Sequence, residues 1–271
     1  MIAVLVGAFG TFIGSFLNVV IYRVPRGKSI VAPPSACGTC GHEVRPYDNI
    51  PLISWLVLRG KCRDCAAPIS VRYPLVELAG AVAFGVVAWR FLPDVLAATG
   101  AVALVAGILQ LVAYLYFAAI SIALALIDLD VHRLPNVIVL PAYLVGLALL
   151  GATAALTGSW QPLVVGALGA LALGGFYLVL ALVRPGGMGM GDVKLAGVIG
   201  LFTGWLGIPE LLVATIAAAL LGGIVGVGML LAGRGRRAAI AFGPWLLAGA
   251  WVAILIGAPL ASAYLSLFGI T

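Results

Sequence analysis

Two kinds of side chain in this sequence are spaced for chemistry: a few acidic residues at the edges of apolar runs, and four cysteines in two close pairs. Asp128 and Asp130 follow a long uncharged run, and Asp192 sits in Gly186-Gly187-Met188-Gly189-Met190-Gly191-Asp192-Val193-Lys194-Leu195, between two further apolar runs. An aspartate at mid-helix in a membrane costs roughly 2.5–3.5 kcal/mol, so carboxylates near such runs are candidates for function. Two of them at matched depth can share one proton, because like charges a few ångströms apart cannot both ionise. The ionised member can activate water as general base. The protonated member can polarise a scissile carbonyl and later donate to the leaving amine. The plainer alternative is two unrelated interfacial carboxylates, Asp192 merely ending a helix beside Lys194. Other hydrolytic sets are not apparent: the chain has two histidines and neither a G-x-S-x-G nor an H-E-x-x-H motif.

Cys37-Gly-Thr-Cys40 and Cys62-Arg-Asp-Cys65 are two C-x-x-C knuckles separated by 21 residues. Such a set can deliver four thiolates to one tetrahedral zinc, and a segment with little apolar core would take much of its folding energy from the metal. Redox-active pairs or free thiols are the alternative reading. His42, just after the first knuckle, is expected at the surface or behind the ligands rather than as a fifth ligand.

The elements that must position these groups are membrane helices. Of 271 residues, 63% are hydrophobic and 9% charged, a balance that belongs to polytopic membrane proteins. The expected fold is all-α with about eight spans, at 2–22, 75–89, 95–127, 137–156, 162–183, 193–207, 211–232 and 244–267. Residues 1–22 form the first span, read as retained because no basic stretch precedes it and no cleavage site follows. Residues 23–74 form the one sizeable polar segment, a zinc-binding insert, and 75–271 the membrane core. The sixth run is short and glycine-rich, so a kinked or partly re-entrant helix is expected there.

A net charge of +6 raises nucleic acid as a partner, but the positions of the charges point instead to membrane orientation. With 95–127 as a single span, fourteen of the fifteen Lys and Arg fall on one side and only Arg90 on the other. That side is cytoplasmic by the positive-inside rule. It holds the cysteine segment, Asp128 and Asp192, and both termini lie outside. The cluster Arg234-Gly-Arg-Arg237 reads as a topology anchor. An ion-coupled transporter is the competing class, but its carboxylates should lie near mid-membrane within inverted repeats, and no repeat is apparent.

Between Asp128 and Asp130, helical geometry allows only one to face Asp192, since residues two apart point about 200° apart. Asp128 directly follows the apolar run and should be the more desolvated, while Asp130 lies nearer His132 and Arg133.

Here the residues resemble a known family. Ile127-Asp128-Leu-Asp-Val-His-Arg-Leu-Pro135-Asn136, followed 64 residues after Asp128 by Gly189-Met-Gly191-Asp192, resembles the G-x-G-D aspartic peptidases of the prepilin peptidase type. Gly14-Ser-Phe-Leu-Asn18-Val-Val-Ile-Tyr22-Arg-Val-Pro25, Asn49-Ile-Pro-Leu-Ile-Ser-Trp55, Arg59-Gly-Lys-Cys62 and Ser70-Val-Arg-Tyr-Pro74-Leu-Val-Glu77 are similar to the bifunctional bacterial members. The resemblance covers about residues 7–200; the last two spans add little. It departs at Gly38, where the family's first knuckle often carries Pro. It implies an inner-membrane enzyme that cuts the basic leader from type IV prepilins and type II secretion pseudopilins at the cytoplasmic face. It also implies that S-adenosylmethionine is used to N-methylate the new terminus. Asp128 and Asp192 match the catalytic pair, and Gly60 matches a methylation-linked position. A peptidase without methylation is the nearer alternative. The expected partners are the membrane-bound substrates and lipid, not nucleic acid. No residue motif locates the methyl donor.

Overall fold

The computed structural model describes residues 1–183, 188–232 and 241–269. Gly186, Gly187 and the Arg234–Arg237 cluster lie outside these residues. Among the described residues the helices are α1 (Ile2–Arg23), α2 (Ile53–Val57), α3 (Arg72–Leu96), α4 (Ala101–Val131), α5 (Asn136–Thr157), α6 (Gln161–Val183), α7 (Met190–Leu206), α8 (Ile208–Leu231) and α9 (Gly243–Ser266). Seven of these are long and apolar enough to cross a membrane, so this is a multi-pass membrane protein.

The remaining expected span, the sixth, is α7, which at 17 residues is near the lower limit of about 17–25 residues for a crossing. Every residue from Leu195 to Trp205 is buried, as expected of a helix that is apolar all round. Four helices, α5, α6, α8 and α9, pack against it.

Two boundaries differ from expectation. Arg90, Pro93 and Asp94 mark a break between spans in the sequence, yet α3 runs through them to Leu96. Arg90 and Asp94 sit one turn apart with 3.9 Å between charged atoms, an i,i+4 placement that the continuous helix provides. The run 95–127 is a single helix, as expected, but shifted to Ala101–Val131. At ~1.5 Å per residue its 31 residues reach about 46 Å, more than a bilayer core of about 30 Å. It ends where His132 turns left-handed at φ 50° and its N–H donates to the Asp128 carbonyl at 2.9 Å.

The chain forms two compact units, Met1–Asp94 with Tyr114–Ala123, and Val95–Ala113 with Leu124–Thr271. In the first, α1 and α3 meet backbone to backbone: a Cβ on Gly10 would collide with the Gly80 carbonyl, and one on Gly80 with the Gly10 carbonyl. Close approach through small residues is how helices gain dispersion contacts in lipid, where no hydrophobic drive operates. Phe91 stacks on Tyr114, centroids 4.3 Å apart. In the second unit, α6 and α7 use the same device at Gly169 and Gly200.

Candidate active site and metal centre

Asp128 lies in the last turn of α4 and is 5% exposed, whereas Asp130 is exposed. The two point to different sides of one helix, as their spacing requires. Asp128 Oδ2 accepts a hydrogen bond from the Gly243 N–H at 3.0 Å, at the start of α9. A Cβ on Gly243 would come within 2.8 Å of that oxygen, so only glycine leaves the carboxylate its place. The free N–H groups and dipole at a helix start favour an anion there.

Asp192 occupies the third position of α7. Its Oδ2 accepts the Gly189 N–H at 3.2 Å, and the Asp192 N–H donates to the Gly189 carbonyl at 3.0 Å. This reciprocal arrangement caps the helix and accounts for the glycine before the aspartate. Asp192 Oδ1 is buried and has no hydrogen-bond partner among the described residues, a costly condition unless something uses the atom.

The two carboxyls belong to the same unit and are close enough to act on one another electrostatically. Leu134, in the short connection after α4, lies between their supports. It is the nearest side chain to a Cβ built on Gly191, at 2.9 Å, and lies within 3.4 Å of one on Gly243. Tyr177 of α6 is buried, lies within electrostatic reach of Asp192, and has its ring 6.0 Å from that of Phe242.

Three further contacts fix the start of α7 against α5. Lys194 Nζ donates to Asn136 Oδ1 at 3.0 Å, and the Tyr143 hydroxyl donates to the Lys194 carbonyl at 2.7 Å. Gly197 makes room for that hydroxyl, since a Cβ there would run into it. Gly197→Ala is therefore expected to destabilise the protein by about 1–3 kcal/mol through overpacking. Tyr143→Phe, which removes the clashing oxygen, should recover most of that loss. Thermal unfolding in detergent of the single and double variants checks it; equal melting temperatures for wild type and Gly197→Ala would contradict it.

Gly243, Phe242, Tyr177, Leu134 and Tyr143 were not legible as site residues. The Phe242-Gly243-Pro244 stretch was the one available signal: a glycine-proline start to an apolar run.

The cysteine segment builds two matching knuckles. The Cys37 N–H donates to the His42 carbonyl and the Gly41 N–H to the Cys37 carbonyl, both at 2.9 Å. Cys62 and Ala66 repeat the pattern at 2.8 and 3.0 Å, with Ala67 in the place of His42. Gly41 and Ala66 share positive φ, 75° and 57°. His42 is exposed and serves the knuckle through its backbone.

All four Sγ atoms lie within 4.8 Å of one another, and Cys37 and Cys65 are 3.8 Å apart. A tetrahedron with ~2.3 Å metal–sulfur bonds has edges of about 3.8 Å, so the four thiols could hold a metal ion. Backbone N–H groups of Cys40 and Thr39 directed at Cys37 bring its thiol down to about 6. Cys65 also faces a backbone N–H, from Ala67, but desolvation and the neighbouring thiols outweigh it and push Cys65 up to about 12. Four sulfurs this close cannot all ionise without a cation among them.

The second knuckle is tied to the segment before it by Arg45–Asp64 at 2.8 Å and by a bidentate Arg63–Asp48 pair. Gly60, at φ 67°, lies under the Trp55 indole: a Cβ would come within 2.9 Å of the ring. Trp55 Nε1 in turn donates to the Ile69 carbonyl at 3.2 Å, and the Ile69 N–H to the Gly60 carbonyl at 2.7 Å. Gly60→Ala should thus open this closure. Limited proteolysis across 53–70 should be several-fold faster in the variant, as a left-handed conformation and a ring contact are lost together; an unchanged cleavage rate would contradict it.

Comparison with known proteins gives a consistent result. Residues 8–91 match the Bacterial Peptidase A24 N-terminal domain, and residues 115–227 match the Type IV leader peptidase family. A protein of Pseudomonas aeruginosa called prepilin leader peptidase/N-methyltransferase is 37% identical over 286 residues, covering 96% of this chain and 92% of its own. Proteins of the same name from Aeromonas hydrophila and Neisseria gonorrhoeae are each 36% identical, covering 97% and 92% of this chain and 94% and 88% of their own. No solved structure matches.

Proposed function

The chain belongs to the type IV leader peptidase family, and from that premise we propose that it cleaves the leader of prepilins and related pseudopilins and N-methylates the new N-terminus. The observation that carries the peptidase reading is the pair of carboxyls, each held through one oxygen by a glycine N–H, with Asp192 Oδ1 unpartnered among the described residues.

In this reading Asp128 and Asp192 share one proton. The ionised carboxylate takes a proton from water, and the resulting hydroxide adds to the carbonyl carbon of the scissile bond. The protonated carboxyl donates a hydrogen bond to the carbonyl oxygen. Collapse of the tetrahedral intermediate breaks the C–N bond, and the leaving amine takes a proton from the dyad. The Gly243 and Gly189 N–H groups hold the carboxyls in place throughout.

Cys37, Cys40, Cys62 and Cys65 would hold a structural zinc; thiolate softness and the four-sulfur set favour zinc over harder cations. S-adenosylmethionine would supply the methyl group. Gly60 is filled by the Trp55 ring, so its link to methylation would run through closure of the segment rather than contact with the donor. Fourteen Lys and Arg on the side of both carboxyls and the cysteines support an inner-membrane protein with a cytoplasmic active site. A basic leader and an apolar helix would bring a substrate's scissile bond to that interface. A transporter is not favoured: the carboxyls sit at helix ends.

The test is to incubate the purified protein with a prepilin and S-adenosylmethionine and weigh the product. Loss of the leader and gain of a methyl are separate mass changes. An intact prepilin would overturn the peptidase reading. A cleaved but unmethylated product would leave a peptidase alone.

A further inference from the structure

Helix α2 is turned inside out for a protein in water. Its apolar residues Ile53, Leu56 and Val57, at the i, i+3, i+4 spacing of one helical face, are 58%, 66% and 70% exposed, while Ser54 is 9% exposed. This orientation is held from the other side. Ser54 Oγ accepts the Ile50 N–H and donates to the Tyr47 carbonyl, both at 3.1 Å, and Trp55 Nε1 donates to Ile69. Rolling the apolar face inward would break all three bonds.

The helix is also fixed in depth. The Leu52 N–H, at the residue just before α2, donates to Glu77 Oε2 at 2.7 Å. Glu77 is buried and lies five residues into α3, about 7–8 Å along the helix axis. Leu75, Leu78 and Val82 form an outward apolar stripe on that span, 57%, 48% and 57% exposed. Asn18 Nδ2, bonded to the Tyr73 carbonyl at 3.1 Å, secures the end of α1 at the same level. Immediately after α2, Arg59 and Lys61 are exposed. An outward apolar stripe at the level where a span enters the bilayer, followed by cations, is the pattern of a segment lying in the membrane interface, where apolar faces sit about 5–10 Å into the headgroup boundary and cations meet anionic headgroups.

We propose that α2 is an interfacial anchor: Ile53, Leu56 and Val57 lie among the headgroups and upper acyl chains of the bilayer, and hold the cysteine-bearing segment flat on the membrane. The occupant of this face is lipid, because Leu52, which opens α2, is bonded to Glu77, and Glu77 lies between Leu75 and Leu78 of the outward stripe of α3.

The full-length protein, reconstituted in phosphatidylethanolamine–phosphatidylglycerol vesicles, can be photolabelled with a phospholipid carrying a diazirine near the glycerol end of its acyl chain. Peptides are then mapped by mass spectrometry. Adducts are expected on Ile53, Leu56 or Val57 as well as on Leu75 or Leu78. The double variant Leu56→Ser, Val57→Ser should lose most of the adducts on 53–57 and keep those on α3. Adducts on α3 with none on 53–57 in the wild type would overturn the proposal. So would 53–57 labelling that disappears when a prepilin is added, which would make the face a protein-docking surface instead.

Discussion

Asp128→Asn and Asp192→Asn are each expected to lower leader cleavage by a factor on the order of 100 to 10,000, the range for loss of a positioned acid or base. An amide can neither take the proton of water nor return one to the leaving amine. Asp128 is 5% exposed and shares its unit with Asp192, whose charge it meets. Asp130, exposed two residues further along α4, faces elsewhere, so Asp130→Asn should keep most of the activity. Methylation of a pre-cleaved pilin should survive all three changes, because the cysteine-bearing segment lies in the other unit. The measurement is cleavage rate and methyl incorporation on separate substrates. A protein lacking the Asp128 carboxylate that still cut at near wild-type rate would move the role to Asp130.

Removing the metal should have the second large effect, confined at first to the cysteine segment. A four-thiolate zinc site contributes an apparent binding free energy of about 10–16 kcal/mol at neutral pH, far more than the segment's two ion pairs, the partly exposed Arg45–Asp64 and the bidentate Arg63–Asp48 with its better-covered carboxylate, can supply. Chelation, or Cys62→Ser, should therefore make residues 23–74 readily cut by added protease and abolish methylation, with leader cleavage falling much less. The pH dependence has a definite sign. Protons compete with the metal for thiolates, so zinc should be lost as pH falls and retained as pH rises. Elemental analysis should find one zinc per chain in carefully purified protein, and its absence there would remove the metal from the account.

Much of this protein was readable in one dimension, for identifiable reasons. Hydrocarbon cannot hydrogen-bond to a backbone, so apolar runs in a membrane must be helices, and the runs mark α1, α3 to α6, α8 and α9. A two-residue spacing within C-x-x-C is short enough for local turns to bring the sulfurs together, so the knuckles at Cys37–Cys40 and Cys62–Cys65 could be read before their folding was known. A carboxylate beside an apolar run is costly wherever the chain goes, which singled out Asp128 and Asp192.

Other features depend on approach between segments far apart in sequence. The continuation of α3 past Arg90 and Pro93 is a local exception, with Arg90 and Asp94 one turn apart on the same helix. The short α7 is a buried helix because glycines at 169 and 200 let α6 reach its backbone, a fact invisible in either run alone. Gly243 lies 115 residues from Asp128, in a span without a charged side chain, and its part in the candidate site is played by a backbone N–H that every non-proline residue possesses. What distinguishes it is the space beside Asp128 Oδ2, where no side chain fits. The outward face of α2 has a partly similar origin: Ile53, Leu56 and Val57 are apolar in the sequence, but the bonds of Ser54 to nearby Ile50 and Tyr47, and of Trp55 and Leu52 to the more distant Ile69 and Glu77, decide which way they point.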